Sequence, residues 1–162
     1  MTQTSYLVVN ADDFGITEGT NRAILDAHKK GIASTSLLAN GQSRPRCRAG
    51  AEHPTLGVGV HLTLSEGRPI DDIARMVVFV LGAEEGQFPL GNSSYVKALI
   101  TGKLPHKNIM REFKSQILKI TQTGIKPTHI DGPQVHPPVA GIAAIAAEVA
   151  GLYGIPFVRL PV

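Results

Sequence analysis

The sequence predicts an α/β protein in which parallel strands alternate with helices. Short apolar stretches with strand character alternate with stretches of helical periodicity along all 162 residues. Such alternation favours parallel pairing, in either an open sheet or a (β/α) barrel. The chain shows no internal repeat, linker or low-complexity segment, and 43% of its residues are hydrophobic. We therefore expect a single domain over residues 1–162.

Three strands and two helices are predicted in the first half of the chain. The strands are expected at 6–10, 34–40 and 58–64, where apolar residues cluster. The first helix starts at Thr17, presents Ala23, Ile24 and Ala27 on one face, and ends at Gly31. A polar stretch at about 45–52 predicts the second helix.

The second half predicts three helices and two strands after a long connection. Residues 69–91 are irregular in pattern and are expected to cross over the strand ends. Helices are predicted at 95–100, 108–123 and 139–153, the second with Phe113, Ile117 and Ile120 at helical spacing. The remaining strands are predicted at 128–131 and 157–160.

The composition limits which binding partners and which cellular compartment we expect for this protein. The chain has 16 Lys plus Arg against 13 Asp plus Glu, and a net charge of +3 is too small to indicate a nucleic-acid partner. Cys47 is the single cysteine, so a disulfide framework is excluded and a reducing cytoplasm fits. The N-terminus lacks the features of a signal peptide, and Glu148 interrupts the most apolar stretch. We expect a cytoplasmic protein with no membrane span.

Acidic and histidine side chains stand at the ends of three predicted strands. Asp12 and Asp13 follow the first strand, His61 lies in the third, and His129 lies in the fourth. The carboxyl ends of parallel strands converge on one rim, so these side chains can meet as a divalent metal site. The alternative for the acids is a helix cap and a solvated carboxylate, and for each histidine a hydrogen-bonded core residue.

Three motifs together resemble a known family. They read Asn-Ala-Asp-Asp-Phe-Gly at 10–15, Gly-Val-His-Leu at 59–62 and Pro-Thr-His-Ile-Asp-Gly at 127–132. In this order and spacing they resemble the YdjC-like carbohydrate deacetylases. The resemblance implies a deformed TIM-like (β/α) barrel and metal-dependent removal of N-acetyl groups from amino sugars. Chitooligosaccharides or hopanoid-linked N-acetylglucosamine are the implied substrates.

The resemblance also implies roles for individual residues. Asp13, His61 and His129 match the metal ligands, and Asp12 matches the general base. Asp131 and Arg159 lie in matching segments and are assigned to substrate binding. The resemblance points to Mg²⁺, although two histidines and a carboxylate also suit Zn²⁺. A leaving amine needs an acid, and the candidate is His136, which follows His129 closely.

Two departures from the family pattern leave other functions open. The family carries a histidine-rich run after the His-x-Asp-Gly element, whereas Pro133 and Val135 stand here and cannot transfer protons. A complete (β/α) barrel takes about 250 residues. We therefore expect a barrel that is incomplete at its C-terminal end, with open edges that another copy in a homo-oligomer can cover. The alternatives are a member that binds glycan or metal without turnover, and a fragment with no function of its own.

Overall fold

A computed structural model describes residues 7–41, 53–65, 67–72, 87–88, 101, 104–132 and 140–159. A described helix lies between consecutive strands in three of the four connections, which confirms the predicted α/β class. In chain order the elements are β1 (Asn10–Phe14), α1 (Glu18–His28), β2 (Ser34–Leu38), β3 (Gly57–His61), α2 (His106–Thr121), β4 (Ile130–Asp131), α3 (Ala140–Tyr153) and β5 (Val158–Arg159).

The five strands form one parallel sheet in the order β1-β2-β3-β4-β5. The register pairs His61 with Asp131 and Asp131 with Arg159, so these three residues form one row across the sheet. Since residues in one row of a parallel sheet point to the same side, the register brings their side chains together. The sequential strand order is that of a barrel wall, and closure into a barrel stays a prediction.

The hydrophobic core lies between the sheet and the helices, with most of the helical residues from α2 and α3 and Ile24 from α1. Val60 and Ile130 point from the sheet into this core, and neither is accessible to solvent. Phe113 and Ile117 project from α2 one turn apart, as the predicted helical spacing requires, and are equally buried. Within the described residues, no helix combines the length and the apolar character needed to cross a membrane.

The predicted position of the first strand is wrong. The apolar run before Asn10 was expected to form a buried strand at 6–10, but β1 covers Asn10–Phe14, and Leu7 and Val8 are 89% and 68% exposed. The polar residue Asn10 forms hydrogen bonds with side chains of β2, and the buried Phe14 packs in the hydrophobic core. These contacts set the register, so Asp12 and Asp13 lie within β1 rather than after it.

The other predicted elements that can be compared differ from the structure at their ends. The strand expected at 58–64 is Gly57–His61, and the helix expected at 108–123 is His106–Thr121. The helices predicted at about 45–52 and at 95–100 lie outside the described residues, as does most of the long connection.

Candidate active site

One face of the sheet is polar, and Asn10 organises its β1 side. The Asn10 amide nitrogen donates to Asp12 Oδ1 at 2.7 Å and to Ser36 Oγ at 2.8 Å. The Ser34 hydroxyl donates to Asn10 Oδ1 at 2.6 Å. Asn10 therefore fixes the Asp12 carboxylate relative to β2. This role of Asn10 was not predicted from the sequence, although Asn10 stands in the first motif two residues before Asp12.

Asp12, the predicted general base, is paired with Arg159. Arg159 Nη2 donates to Asp12 Oδ2 at 2.7 Å. Partial burial opposes ionisation, but the hydrogen bonds from Arg159 and Asn10 outweigh it and hold the pKa of Asp12 below its usual value. The carboxylate is consequently ionised at neutral pH, as a general base must be, and 41% of the side chain remains exposed.

The buried Asp131 also contacts the Arg159 guanidinium. Arg159 Nε donates to Asp131 Oδ1 at 2.8 Å, and Arg159 Nη2 lies 2.6 Å from Oδ2. The Ser36 hydroxyl donates to Oδ2 at 2.9 Å. Burial raises the pKa of Asp131, against the opposing effects of His61, Ser36 and Arg159. Because its side chain is 3% exposed, Asp131 contacts Arg159 and Ser36 rather than solvent.

Asp13 and His61 form a second pair at the carboxyl end of the sheet. Asp13 Oδ1 lies 3.3 Å from His61 Nδ1. This contact does not have hydrogen-bond geometry, so Nδ1 is buried without a hydrogen bond to any described residue. Asp13 is also the one described non-glycine residue with positive φ, at 66°. An unsatisfied ring nitrogen facing a carboxylate in strained backbone is typical of a functional site.

His129, the predicted third ligand, lies over Gly59. A Cβ at Gly59 would overlap the imidazole ring, so glycine is required there for close packing. His129 Nδ1 lies 2.9 Å from Thr128 Oγ1, and Nε2 lies 3.3 Å from Ser36 Oγ. Burial lowers the pKa of His129, which keeps the ring neutral at neutral pH.

A cavity of about 470 Å³ opens on the polar face beside His129 and Arg159. Val8, Phe157 and Val158 form its apolar part. This volume is in the range of small-molecule sites. Of the predicted site residues, His129 and Arg159 therefore line a space that can admit a small ligand.

Asp13 and His61, two of the three predicted metal ligands, lie close together. Two ligands of one ion, each about 2.0–2.2 Å from it, are separated by roughly 3 Å, which suits the Asp13–His61 pair. Among the described residues, no group of three or more His, Cys, Asp or Glu side chains is arranged to hold a metal ion. The structure thus brings Asp13 and His61 together without His129 as a third donor. His136, the candidate acid, lies outside the described residues, as do Pro133 and Val135.

The fold and the site define a parallel α/β protein with an acid-and-histidine centre at the carboxyl ends of its strands. This is the location at which proteins of this class bind their ligands. Comparison with protein families matches the model described as "YdjC-like protein" over residues 6–162. The chain belongs to the YdjC-like family, and the resemblance noted in the sequence is confirmed.

The relatives with similar sequences are named carbohydrate deacetylases. The chain is 35% identical over 157 residues to a mouse protein named carbohydrate deacetylase, covering 96% of this chain and 50% of that protein. It is 37% identical over 160 residues to the carbohydrate deacetylase of Brevibacillus brevis, covering 96% of this chain and 59% of the other. The chain thus spans about half the length of these relatives.

A solved structure shares the fold. It is a crystal structure of a protein from Enterococcus faecalis that is described as a candidate cellobiose-phosphate cleavage protein. The two superpose with a TM-score of 0.72 at 31% sequence identity, covering 93% of this chain and 57% of the other. The alternating parallel architecture is therefore shared with an experimental structure.

Proposed function

We propose that this chain carries the site of a metal-dependent deacetylase that removes N-acetyl groups from amino sugars such as chitooligosaccharides. The observation that carries the proposal is the buried, unbonded His61 Nδ1 at 3.3 Å from Asp13, beside the ionised Asp12. The names of the relatives support the same reaction class. The chain spans about half the length of these relatives, and the activity is proposed for the site that it shares with them.

The proposed ion is divalent, with Asp13 and His61 as two of its ligands. Both side chains fit such an ion, and His129 stays the predicted third ligand. When bound, the ion supplies Lewis-acid polarisation of the acetyl carbonyl. Mg²⁺ follows from the family resemblance, while the imidazole ligands also suit Zn²⁺.

Asp12 is the proposed base in amide hydrolysis. Hydrolysis requires a proton to leave the attacking water, and an ionised carboxylate can accept it. Asn10 and Arg159 each donate to a different oxygen of Asp12, so they fix the direction in which its remaining lone pairs point. The two bonds therefore orient the base as well as keep it ionised.

Arg159 and Asp131 have linked roles in substrate binding. Arg159 is 46% exposed at the cavity, so its guanidinium can donate to sugar hydroxyl or acetyl oxygens. Asp131 is too buried to reach a sugar directly, and we assign it to holding the guanidinium through two contacts. His136 stays the predicted acid for the leaving amine.

Acetate release from N,N′-diacetylchitobiose tests the proposed function. The wild-type protein, reconstituted with Mg²⁺ or Zn²⁺, is expected to release acetate. Asp12→Asn should abolish release and keep the bound metal, while Asp13→Asn and His61→Gln should lose the metal, as measured by elemental analysis. Arg22→Met, at an exposed position on α1, is the control and should behave as wild type. Full turnover by Asp12→Asn would refute the role of Asp12.

A binding function without turnover is the second candidate. The observation that favours it is the 2.7 Å ion pair, which places a guanidinium on the oxygen of the proposed base. Calorimetry with the same disaccharide distinguishes the two. Binding with no acetate released, in protein containing stoichiometric metal, would support the second candidate and exclude the first.

A further inference from the structure

Two polar side chains of α2 are completely buried beneath the connection that follows β3. Glu112 and Gln116 lie one helical turn apart, and both have 0% exposure. We infer that they are positioning residues that hold the described residues 63–65 and 67–71 as a fixed wall of the substrate site beside His61. For its kinetic consequences this inference rests on the proposed deacetylase function.

Gln116 binds the backbone just beyond β3. Thr63 N donates to Gln116 Oε1 at 3.1 Å, and Gln116 Nε2 donates to Thr63 O at 2.8 Å. The paired register of β2 and β3 ends at His61, so Thr63 lies two residues beyond the ladder. The side-chain amide thus supplies the two hydrogen bonds that a neighbouring strand would otherwise supply.

Glu112 binds the far end of the same connection. Its carboxylate accepts from Ile70 N at 3.0 Å and from Asp71 N at 2.8 Å. Gln116 Nε2 donates to Glu112 Oε1 at 2.8 Å, so the two side chains form one network. Helix α2 therefore binds the connection at Thr63 and again at Ile70 and Asp71.

The middle of the connection is held from the opposite side. Asn40, which lies two residues beyond β2, donates from Nδ2 to Arg68 O at 3.3 Å. Gly67 has φ of +69°, and a Cβ there would lie 3.0 Å from Asn40 O. Phe88 N donates to Gly67 O at 2.8 Å. The connection consequently passes over the carboxyl ends of β2 and β3, the end at which His61 stands.

A purely stabilising role for this network is the alternative. Apolar side chains of similar volume would fill the same space, often at no loss of stability. They would not fix particular backbone atoms, whereas Gln116 and Glu112 bond to three amide hydrogens of the connection. Positioning therefore predicts a local effect that can be separated from the free energy of unfolding of the whole domain.

Hydrogen exchange of the full chain tests the holding contacts without reference to activity. In Glu112→Met, which roughly keeps side-chain volume and removes both acceptor oxygens, the amides of Ile70 and Asp71 should exchange roughly tenfold faster. In Gln116→Met the Thr63 amide should show the same change. Gln122→Met, an exposed glutamine after the same helix, is the matched control and should leave all three rates unchanged. Unchanged exchange in Glu112→Met would overturn the inference. This result decides the question even if Gln116→Met does not fold.

Kinetics with N,N′-diacetylchitobiose then separates positioning from general stability. A displaced wall weakens the binding of substrate and transition state equally, so KM should rise roughly fivefold to tenfold in Glu112→Met with kcat within about twofold. Metal content should equal that of wild type. Faster exchange with unchanged KM, or a loss of kcat alone, would overturn the role at the site. If wild type releases no acetate, the proposed function fails, and the exchange rates decide separately whether Glu112 and Gln116 hold the connection.

Discussion

Arg159 donates a hydrogen bond to Asp12 over 2.7 Å, although 147 residues separate the two in the sequence. The contact joins the two edge strands β1 and β5 across the polar face of the sheet. Asp131 on β4 holds the same guanidinium through Nε and Nη2. The orientation of the proposed base therefore depends on the last described strand.

Replacing Arg159 should impair turnover more than folding. Arg159→Met removes the donors to Asp12 and Asp131, so the proposed base loses its orientation and kcat/KM should fall roughly 10- to 100-fold. Arg159→Lys should not restore the rate, because an ammonium group cannot bridge both carboxylates with the planar fork of a guanidinium. Acetate release and urea unfolding measure the two effects.

The exposed Arg22 is the control for this experiment, and Arg22→Met should retain the wild-type rate. Full activity in Arg159→Lys would show that a positive charge alone suffices. It would contradict the requirement for a guanidinium that bridges Asp12 and Asp131.

The fold and the rim of site residues could be predicted from the sequence, since both follow from local pattern. The contacts between particular site residues could not be predicted, because they depend on the register of the paired strands. His61, Asp131 and Arg159 form one row through strand pairing, which no spacing in the sequence specifies. Placing β1 at the apolar run failed because the hydrogen bonds from Asn10 to β2 fix that edge strand farther along the chain. The buried Glu112 was missed because it stands on the apolar face of a predicted helix, where its backbone partners are distant in sequence.

Gly59 should be intolerant of a side chain. A Cβ there would overlap the His129 ring, so Gly59→Ala must displace the imidazole or the strand and should lower the free energy of unfolding by about 1–3 kcal/mol. Gly141→Ala is the matched control, since its Cβ meets nothing within 4 Å and alanine favours the helix by about 1 kcal/mol. Chemical denaturation of both variants provides the measurement. Equal stability of Gly59→Ala and wild type would show that the ring moves freely.

At position 13, stability should favour glycine, whereas the proposed function requires the Asp13 carboxylate. Its φ of 66° is strained for a residue with a Cβ, so Asp13→Gly should exceed Asp13→Ala in free energy of unfolding by about 1–2 kcal/mol. Both variants lack the carboxylate and should lose the bound divalent ion. Thermal unfolding and elemental analysis record the two properties. Ala11→Gly, in the same strand, should instead be destabilised by about 0.5–1 kcal/mol. If Ala11→Gly were also more stable than wild type, the gain in Asp13→Gly could not be attributed to backbone strain at Asp13.

Glu112 should make the stability of the protein depend on pH in a direction opposite to that of an ion-paired acid. Burial raises the pKa of Glu112 above its ordinary value of 4.5, against the hydrogen bonds from Gln116, Asp71 and Ile70. Between 4.5 and the raised value the folded protein keeps a proton that the unfolded chain has released. The free energy of unfolding therefore falls as pH rises through this window, by up to about 1.4 kcal/mol per pH unit. Urea unfolding of wild type and Glu112→Gln across this range should show wild type losing stability relative to the variant with rising pH. Glu18→Gln on α1 controls for the change in net charge, and a wild-type advantage that grows with pH would contradict the raised pKa.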